Sequence, residues 1–293
     1  MEADYRIEAV RAMQAYIHAH LCERITLADL SRACHYSPWH AHRLFVELLN
    51  ATPGDYIRRL RLSQSALTLR DEQLKIADVA FAFGFGSVDG YQRAFFREFG
   101  CNPKEYAKNP VPMLLFVPYE LDIPIDKEEQ QMESVKTVFI QTVERPAHDA
   151  IIKRGVAAQD YFAYCEEVGC DVWGVLMSIK SIFGEPVCYW LPKAMISNGT
   201  SEYVQGSEVE PGYDGMVPDG FDLISLPACT YLMFHGEPFP EADYHQAVVQ
   251  LRAAIEKYDP GVVGYAWNED QPRIQLAPIG ARGYIELLPV KNA

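Results

Sequence analysis

An internal repeat at an offset of 50 residues constrains the fold of this chain more than any other feature. The pattern S-x5-R-x-F-x7-P-x2-Y begins at Ser37 and recurs at Ser87. A short segment with helical apolar spacing and a tight turn precede each copy. Serine can cap a helix, and Pro38 suits a first helical position. Each copy therefore predicts a short helix, a turn and a Ser-capped second helix, which is a helix-turn-helix.

The length and charge of the chain indicate two parts with different properties. At 293 residues the chain is long enough for about two domains. Its net charge of −14 argues against a nucleic-acid binder when taken as a whole. However, residues 1–110 hold 14 basic and 13 acidic side chains, whereas residues 111–293 hold 12 and 27. The acidic excess lies entirely in the second part, so the objection does not apply to the first.

The second part carries a weaker repeat, at an offset of 81 residues. Arg145-Pro146-Ala147 matches Leu226-Pro227-Ala228, and Tyr203 matches Tyr284. Each half is predicted as strand, helix, strand, strand, with a first strand over 137–155 and a helix over 160–181. The predicted fold class is a two-domain α + α/β protein: an all-α tandem helix-turn-helix domain over 1–109, a proline-containing linker over 110–133, and an α+β domain of duplicated β-α-β-β units over 134–293.

Cysteine usage and the termini predict a cytoplasmic protein. There are seven cysteines and no C-x-x-C motif, which favours free thiols in a reducing cytosol over disulfides. No zinc site and no cofactor are predicted. The charged N-terminus does not resemble a signal peptide, and no run of about 18 apolar residues predicts a membrane span.

Two stretches carry a family resemblance. YSPWHAHRLF and the later IADVAFAFGFGS and YQRAFFREFGCNPKEY resemble the DNA-binding region of the AraC/XylS family, and the Trp39-His40 pair resembles its Rob subgroup. Residues 134–293, with GYIELLPVK near the end, resemble the gyrase-inhibitor-like (GyrI/BmrR-type) effector domain. Together these resemblances imply a transcription regulator, an activator by expectation, with double-stranded DNA, RNA polymerase and a small cationic or amphiphilic effector as partners.

The second helix of each helix-turn-helix is expected to lie in the major groove of DNA. Apolar Leu44, Phe45 and Leu48 should face the core in the first unit, and Phe95, Phe96 and Phe99 in the second. The resemblance places Trp39, His42 and Arg43 at base or groove positions. Ten candidate DNA-contacting residues follow from this surface and from the helix over 55–69: Trp39, His40, His42, Arg43, Val88, Asp89, Gln92, Arg93, Arg58 and Arg61.

Purely structural alternatives exist for several of these residues. Arg43 and Arg93 could tie helices to carboxylates, Trp39 could be a core residue, and the arginines over 55–69 could form a solvated face. Asp89 would be repelled by phosphates, and Gly90 costs about 1 kcal/mol of helix stability relative to alanine. We therefore predict weaker reading by the second unit. The helix over 55–69, about 22 Å long, would space the two units so that one chain reaches two successive major grooves.

The last strand carries one glutamate, Glu286, among apolar residues. A buried carboxylate is costly unless it is paired, so Glu286 is either an edge-strand carboxylate in water or part of a site. In the resembling domains, a glutamate here neutralises cationic ligands between aromatic walls. The predicted ligand-binding residues are Glu286, Tyr284, Tyr203, Trp190, Trp173 and Tyr231. The alternatives are an interaction module without a ligand, and a small hydrolase with Glu286 as general base.

Overall fold

The chain forms two compact units, residues 1–125 and 126–293. The computed structural model describes residues 2–118, 137–240 and 243–293. Most of the predicted linker, residues 119–133, lies outside the described residues.

The first unit is helical. Its helices are α1 (Glu2–Ala19), α2 (Leu27–Ala33), α3 (Pro38–Leu49), α4 (Pro53–Asp71), α5 (Ile76–Ala82), α6 (Val88–Phe99) and α7 (Pro103–Lys108). The pairs α2–α3 and α5–α6 are the two helix-turn-helix units, so the tandem arrangement predicted from the repeat is confirmed.

Local capping explains where the second helix of each unit begins and ends. The Ser37 hydroxyl accepts from the His40 amide at 3.3 Å, and Ser87 accepts from the Gly90 amide at 3.1 Å. Asn50 and Gly100, one repeat apart, end α3 and α6 in the left-handed conformation. The same local chemistry therefore sets both helices.

The core of the first unit follows the repeat. Phe45 and Phe95 are fully buried, as are the matched Tyr56 and Tyr106 near the start of α4 and α7. The helix α4 has 19 residues and begins at Pro53 behind a Thr52 cap, so it is longer than the predicted 55–69. At about 1.5 Å per residue it spans about 28 Å.

The segment after α7 packs on this core although it was predicted as linker. Leu115 is buried, and the Phe116 amide donates to Ser63 Oγ at 2.7 Å. The Phe116 ring meets Tyr56 edge-on, and the Arg59 guanidinium lies over the Phe116 ring with Cζ 4.5 Å from its centroid. Residues 113–116 therefore belong to the first unit.

The second unit is an antiparallel sheet with helices. Its elements are β1 (Phe139–Arg145), β2 (His148–Arg154), α8 (Tyr161–Val168), α9 (Asp171–Ser178), β3 (Val187–Trp190), β4 (Tyr203–Val209), β5 (Asp222–Leu226), β6 (Cys229–His235), α10 (Tyr244–Glu256), β7 (Tyr265–Trp267), β8 (Arg273–Leu276) and β9 (Ile285–Asn292). The strand order is β1-β6-β9-β8-β3-β4-β2-β5, with β7 paired to β9.

Two predicted elements of this unit are each divided in the structure. The strand over 137–155 is two strands, because β1 pairs with β6 whereas β2 pairs with β4 and β5. The helix over 160–181 is α8 and α9, because the chain turns at Gly169 with φ of 97°. Glycine reaches this conformation without the steric cost that a side chain would add.

The two faces of the sheet differ. One face carries an apolar cluster that includes Tyr189, Val204, Tyr231 and Leu287. The other face is covered by helices, where Leu251 and Ile255 of α10 pack on Phe234. The strand register places four buried side chains in one row on this helix-covered face: Gln205, Cys188, Gln275 and Glu286. The candidate site of the second unit includes Glu286 from this row.

Candidate functional sites: a nucleic-acid interface and a buried carboxylate

The α3 surface presents three of its four predicted contact residues to solvent. Trp39 is 69% exposed, which excludes the alternative that it is a core residue. His42 and Arg43 are also exposed, whereas His40 is half-buried against the Tyr36 ring at 4.7 Å. Arg43 lies over the Trp39 indole with Cζ 5.0 Å from the ring centroid. An indole and a guanidinium thus stand side by side on the outer surface of the helix.

Arg43 also has a partner within the protein. Its Nε lies 3.5 Å from Glu47 Oε1, and Glu47 is bonded in turn to Arg6 of α1. Arg43 is therefore both exposed to solvent and tied to a carboxylate, as the structural alternative expects. The ion pair is solvent-exposed and of small worth, so it does not prevent the guanidinium from meeting a base edge.

The α6 surface exposes two of its four predicted contact residues, one fewer than α3. Asp89 and Arg93 are exposed, and Val88 and Gln92 are half-buried. Arg93 folds back onto its own helix, with Nε 3.3 Å from the Asp89 carbonyl oxygen. Phe96 was predicted as core but is 59% exposed; Tyr91 takes the core position instead, and its hydroxyl donates to Ser65 Oγ at 3.0 Å. The helical phase of α6 is fixed by Tyr91, Phe95 and Phe99.

The arginines of α4 hold the first unit together. Arg58 and Arg59 both bond Glu98 of α6, at 3.2 and 2.7 Å. Arg61 donates from Nε to the Leu21 carbonyl at 2.8 Å and from Nη2 to the Glu23 carbonyl. Partial burial lowers the pKa of Arg61, since its charge is partly desolvated. Arg58 and Arg61 are thus engaged in contacts within the unit, and their contact with DNA stays a prediction.

In the second unit, Glu286 is fully buried and lies on a central strand. It pairs with β6 and β8 neighbours, which rules out the edge-strand alternative. Arg252 of α10 donates from Nε to Glu286 Oε1 at 3.1 Å, and Arg273 donates from Nε to Oε2 at 2.7 Å and again from Nη2. The Tyr284 hydroxyl donates to Oε1. The carboxylate that was predicted to meet a ligand cation is met by two cations of the chain itself.

This pairing is reflected in the neighbouring groups. Burial lowers the pKa of Arg252, but its interactions with Tyr284 and Glu286, hydrogen bonds among them, outweigh the burial and raise the pKa above its ordinary value. Burial, together with Glu286, raises the pKa of Tyr284. The arginine stays charged and the tyrosine stays a hydrogen-bond donor, which leaves Glu286 without an open oxygen for general-base chemistry.

Trp190 and Tyr203 lie beside this carboxylate. The Arg252 and Arg273 Cζ atoms are 5.2 and 5.1 Å from the Trp190 ring centroid. The indole Nε1 donates to the Gln159 carbonyl at 2.9 Å, and its ring meets Tyr203 edge-on at 5.0 Å. Trp190 and Tyr203 are therefore brought together near Glu286, and the Trp190 ring is already stacked with both guanidinium groups.

The remaining predicted aromatic residues divide. Trp173 packs with the cluster of Tyr164, Cys188 and Tyr203, on the helix-covered face. Tyr231 does not join the site: it lies three residues from Phe234, which pairs with Glu286, and strand alternation places it on the opposite face. There it is buried beside Tyr189.

A second buried carboxylate lies on β4. Glu208 is fully buried and bonded to Arg145, and His148 Nε2 lies 3.1 Å from its Oε1. His148 Nδ1 lies 2.7 Å from the Pro146 carbonyl oxygen, so both ring nitrogens face acceptors. Burial lowers the pKa of His148, yet the bonds to Glu208 and Pro146 outweigh it and raise that pKa.

Arg252, Arg273 and Arg145 are the residues that the sequence reasoning missed. The signal that could have found them is the requirement that a buried carboxylate be paired. Their partners are distant in sequence, so the requirement predicts that arginines exist but not which ones. Among the described residues, no group of three or more histidine, cysteine, aspartate or glutamate side chains is placed to hold a metal ion. None of the described helices is long and apolar enough to cross a membrane.

Comparisons with known proteins agree with the helical unit. The family model of the helix-turn-helix domain matches residues 30–109. The chain is 33% identical over 101 residues to the Right origin-binding protein of Escherichia coli (strain K12), covering 34% of this chain and 35% of that protein. It thus spans about a third of the length of that relative.

Two shorter relatives are covered more fully. Regulatory protein SoxS of Escherichia coli (strain K12) is 31% identical over 97 residues, which is 33% of this chain and 91% of SoxS. The probable transcription factor PqrA of Proteus vulgaris is 31% identical over 87 residues, which is 30% of this chain and 71% of PqrA. A crystal structure of an AraC-type regulator from Chromobacterium violaceum aligns at 22% identity and a TM-score of 0.33, covering 35% of this chain and 95% of that one.

Two consecutive Ser-capped helix-turn-helix units, joined by a long helix, define the chain as a helix-turn-helix protein. The relatives that share this unit, SoxS and PqrA, are regulatory proteins by name and are covered over most of their length. The chain belongs to the AraC family of transcriptional regulators.

Proposed function

We propose that this protein is a sequence-specific regulator of transcription that binds double-stranded DNA through α3 and α6. The observation that carries the proposal is the exposed trio of Trp39, His42 and Arg43 on α3, in a unit whose fold places that helix outward. Arg43 would bond a guanine edge, His42 an acceptor edge, and Trp39 a thymine methyl or a sugar.

The two helices are proposed to enter successive major grooves from one chain. The 19-residue α4, about 28 Å long, separates the units, and adding the helix radii approaches the 34 Å of one DNA turn. The pairs from Glu98 to Arg58 and Arg59 fix α6 on α4. Because these ion pairs hold α6 on α4, they favour a fixed distance between the two half-sites on the DNA.

The contribution of α6 is proposed to be mainly to position the protein. Asp89 adds a negative charge at the start of the helix, and Arg93 is turned back towards its own backbone. The α6 side would then contact the DNA backbone more than base edges. RNA polymerase is the partner proposed for an activator of this family.

The DNA-binding proposal is tested with Arg43→Ala. Loss of one bidentate base contact, worth about 1–3 kcal/mol, should lower the ratio of specific to non-specific affinity on the order of tenfold to a hundredfold. Sites from genome-wide mapping would be titrated with the purified full chain. Arg24→Ala, an exposed arginine in the loop before α2, is the charge-matched control. It should change at most the salt dependence. Unchanged specificity in Arg43→Ala would remove α3 from base reading.

We further propose that the second unit binds a small-molecule effector that modulates DNA binding. The support is a charged, aromatic site on the helix-covered face, where Glu286, two arginines and Trp190 meet. Addition of such an effector to the full chain should change the affinity for the mapped DNA sites. If the second unit is instead an interaction module without a ligand, no compound should both raise the melting temperature and change the DNA affinity.

We infer that the second unit is built from two β-α-β-β halves. The sheet order supports this. From the outside of the sheet to its centre, β2, β4 and β3 on one side occupy the positions that β6, β9 and β8 occupy on the other. The two edge strands are exchanged: β1 pairs with β6, and β5 pairs with β2.

A further inference from the structure

We propose that the site around Glu286 takes an anion with a flat apolar body, and that Arg252 and Arg273 recognise its charge. This deepens the effector role proposed above and rests on it. The ligand class is a planar aromatic carboxylate, and it differs from the cation that a buried glutamate between aromatic rings would predict.

The charge of the cluster disfavours a ligand cation. Glu286 is 0% exposed and receives hydrogen bonds from Arg252, Arg273 and Tyr284. A ligand cation would have to displace a guanidinium and leave that partly buried charge without its carboxylate partner, which is unfavourable. With two cations and one anion, the cluster carries a net charge of +1. Its local charge is opposite to the excess acid of residues 111–293.

Both arginines have N–H groups that Glu286 does not use. Each guanidinium has five N–H groups in a planar fork, and Glu286 takes only Nε of Arg252 and only Nε and Nη2 of Arg273. The Arg252 and Arg273 side chains are 37% and 31% exposed, whereas the carboxylate beneath them is not exposed at all. The two partly exposed guanidinium groups therefore keep donors that Glu286 does not use and that a second carboxylate can accept.

An aromatic surface lies beside those donors. The Trp190 indole is fixed by its bond to the Gln159 carbonyl and by the edge contact with Tyr203. Both guanidinium groups lie about as close to this ring as stacking requires. A flat apolar body that accompanies the anion would stack on the guanidinium planes, which themselves stack on this ring.

The test compares three probes that share one ring system. The full chain would be titrated calorimetrically with 1-naphthoate, 1-naphthylmethylammonium and 1-naphthylmethanol. We expect 1-naphthoate to bind at least tenfold tighter than the other two. Arg252→Gln should weaken naphthoate binding at least tenfold. Lys291→Gln removes an exposed cation from the same strand as Glu286, β9, and should leave binding unchanged.

Glu286→Gln distinguishes an anion site from a cation site by the direction in which the binding affinity changes. In an anion site the substitution releases arginine donors, so naphthoate affinity is kept or increased; in a cation site, affinity for the ammonium probe is lost. Thermal melting of each variant establishes that it folds, and Arg252→Gln carries the test if Glu286→Gln does not. Tighter binding of the ammonium probe overturns the anion class alone. Absence of saturable naphthoate binding overturns the proposal, and an unchanged DNA affinity with a bound probe overturns the effector role.

Discussion

At the scale of single residues, the turns of the two helix-turn-helix units solve one backbone problem in two ways. His35 and Gly84 both have positive φ, 58° and 73°. A side chain in this region costs about 1–2 kcal/mol, although histidine is among the residues that enter it more readily. The second unit avoids the cost with glycine, and the glycine also leaves room for the Arg61 guanidinium, whose Nη1 would lie 3.0 Å from a Cβ at position 84.

Gly84→Ala should therefore lower the free energy of unfolding by about 1–2 kcal/mol, because it adds a side chain at positive φ and crowds Arg61. Gly86→Ala is the matched control two residues away. Its φ is not positive and no heavy atom would lie within 4 Å of the added methyl carbon, so its effect should stay small. Chemical denaturation measures both. Equal losses in the two variants would contradict the role of the Gly84 conformation.

Asp89 is the second residue whose substitution has a clear sign. It is an exposed anion in the first turn of α6, where the helix is proposed to approach phosphates. Asp89→Asn should raise DNA affinity about fivefold, since one repulsive charge is worth about 1 kcal/mol in water. It should also weaken the helix slightly, because an acid near a helix N-terminus is stabilising. Filter binding at two salt concentrations measures the gain, which should shrink as salt rises. A loss of affinity would show that Asp89 itself contacts DNA.

At the scale of elements, the corner between β1 and β2 is held by an ionic cluster. Arg145 ends β1, His148 begins β2, and both reach Glu208 on β4. The raised pKa of His148 means that its proton is bound more tightly in the folded chain than in the unfolded chain. The stabilisation is complete below the unfolded pKa of about 6.5 and is lost as pH rises through the folded value.

The stability of the second unit should therefore fall as pH rises above about 6.5. In His148→Gln this pH dependence should be flatter, because no proton is released there. His42→Gln, in an exposed position on α3, should keep the dependence of the parent chain. Urea denaturation over a pH series measures it. A slope that persists unchanged in His148→Gln would assign the proton to another group.

The elements also show which parts of the fold can be predicted from local sequence and which cannot. Ser37-Pro38 and the recurrence at Ser87 predict α3 and α6 because caps and turns are local chemistry. The pairing of Glu286 with Arg273 and Arg252 joins residues 13 and 34 positions apart, so it depends on the sheet register and on where α10 docks. Periodicity shows that Glu286 shares a face with Tyr284, but not which cations reach that face. The division of the predicted helix at Gly169 was also not predicted, because glycine permits a break in a helix without requiring one.

At the scale of the whole molecule, the segment over 113–116 extends the first unit beyond its last helix. Leu115 is buried, and Phe116 is bonded to Ser63 and stacked by Arg59. Leu115→Ala in the full chain should destabilise the first unit by about 2–5 kcal/mol, as buried leucine truncations do. Hydrogen exchange measured by mass spectrometry should show faster exchange in α4 and unchanged exchange in the sheet.

Val204→Ala, at a fully buried position of β4, is the reciprocal control for that experiment. It should speed exchange in the sheet and leave α4 unchanged, because the two units are separate compact bodies. Faster exchange in both units with either variant would show that they unfold as one.

The pairing of β1 with β6 has a consequence for synthesis on the ribosome. Among the described strands, β1 pairs with β6 alone, about 90 residues later in the chain. At about 5–20 residues per second, β1 waits roughly 4 to 18 seconds for that partner to be made. During this time Phe139 and Ile140, which remain exposed even in the finished sheet, stand on an unpaired strand. The nascent chain is thus most open to wrong pairing, and to chaperones, before its second half emerges.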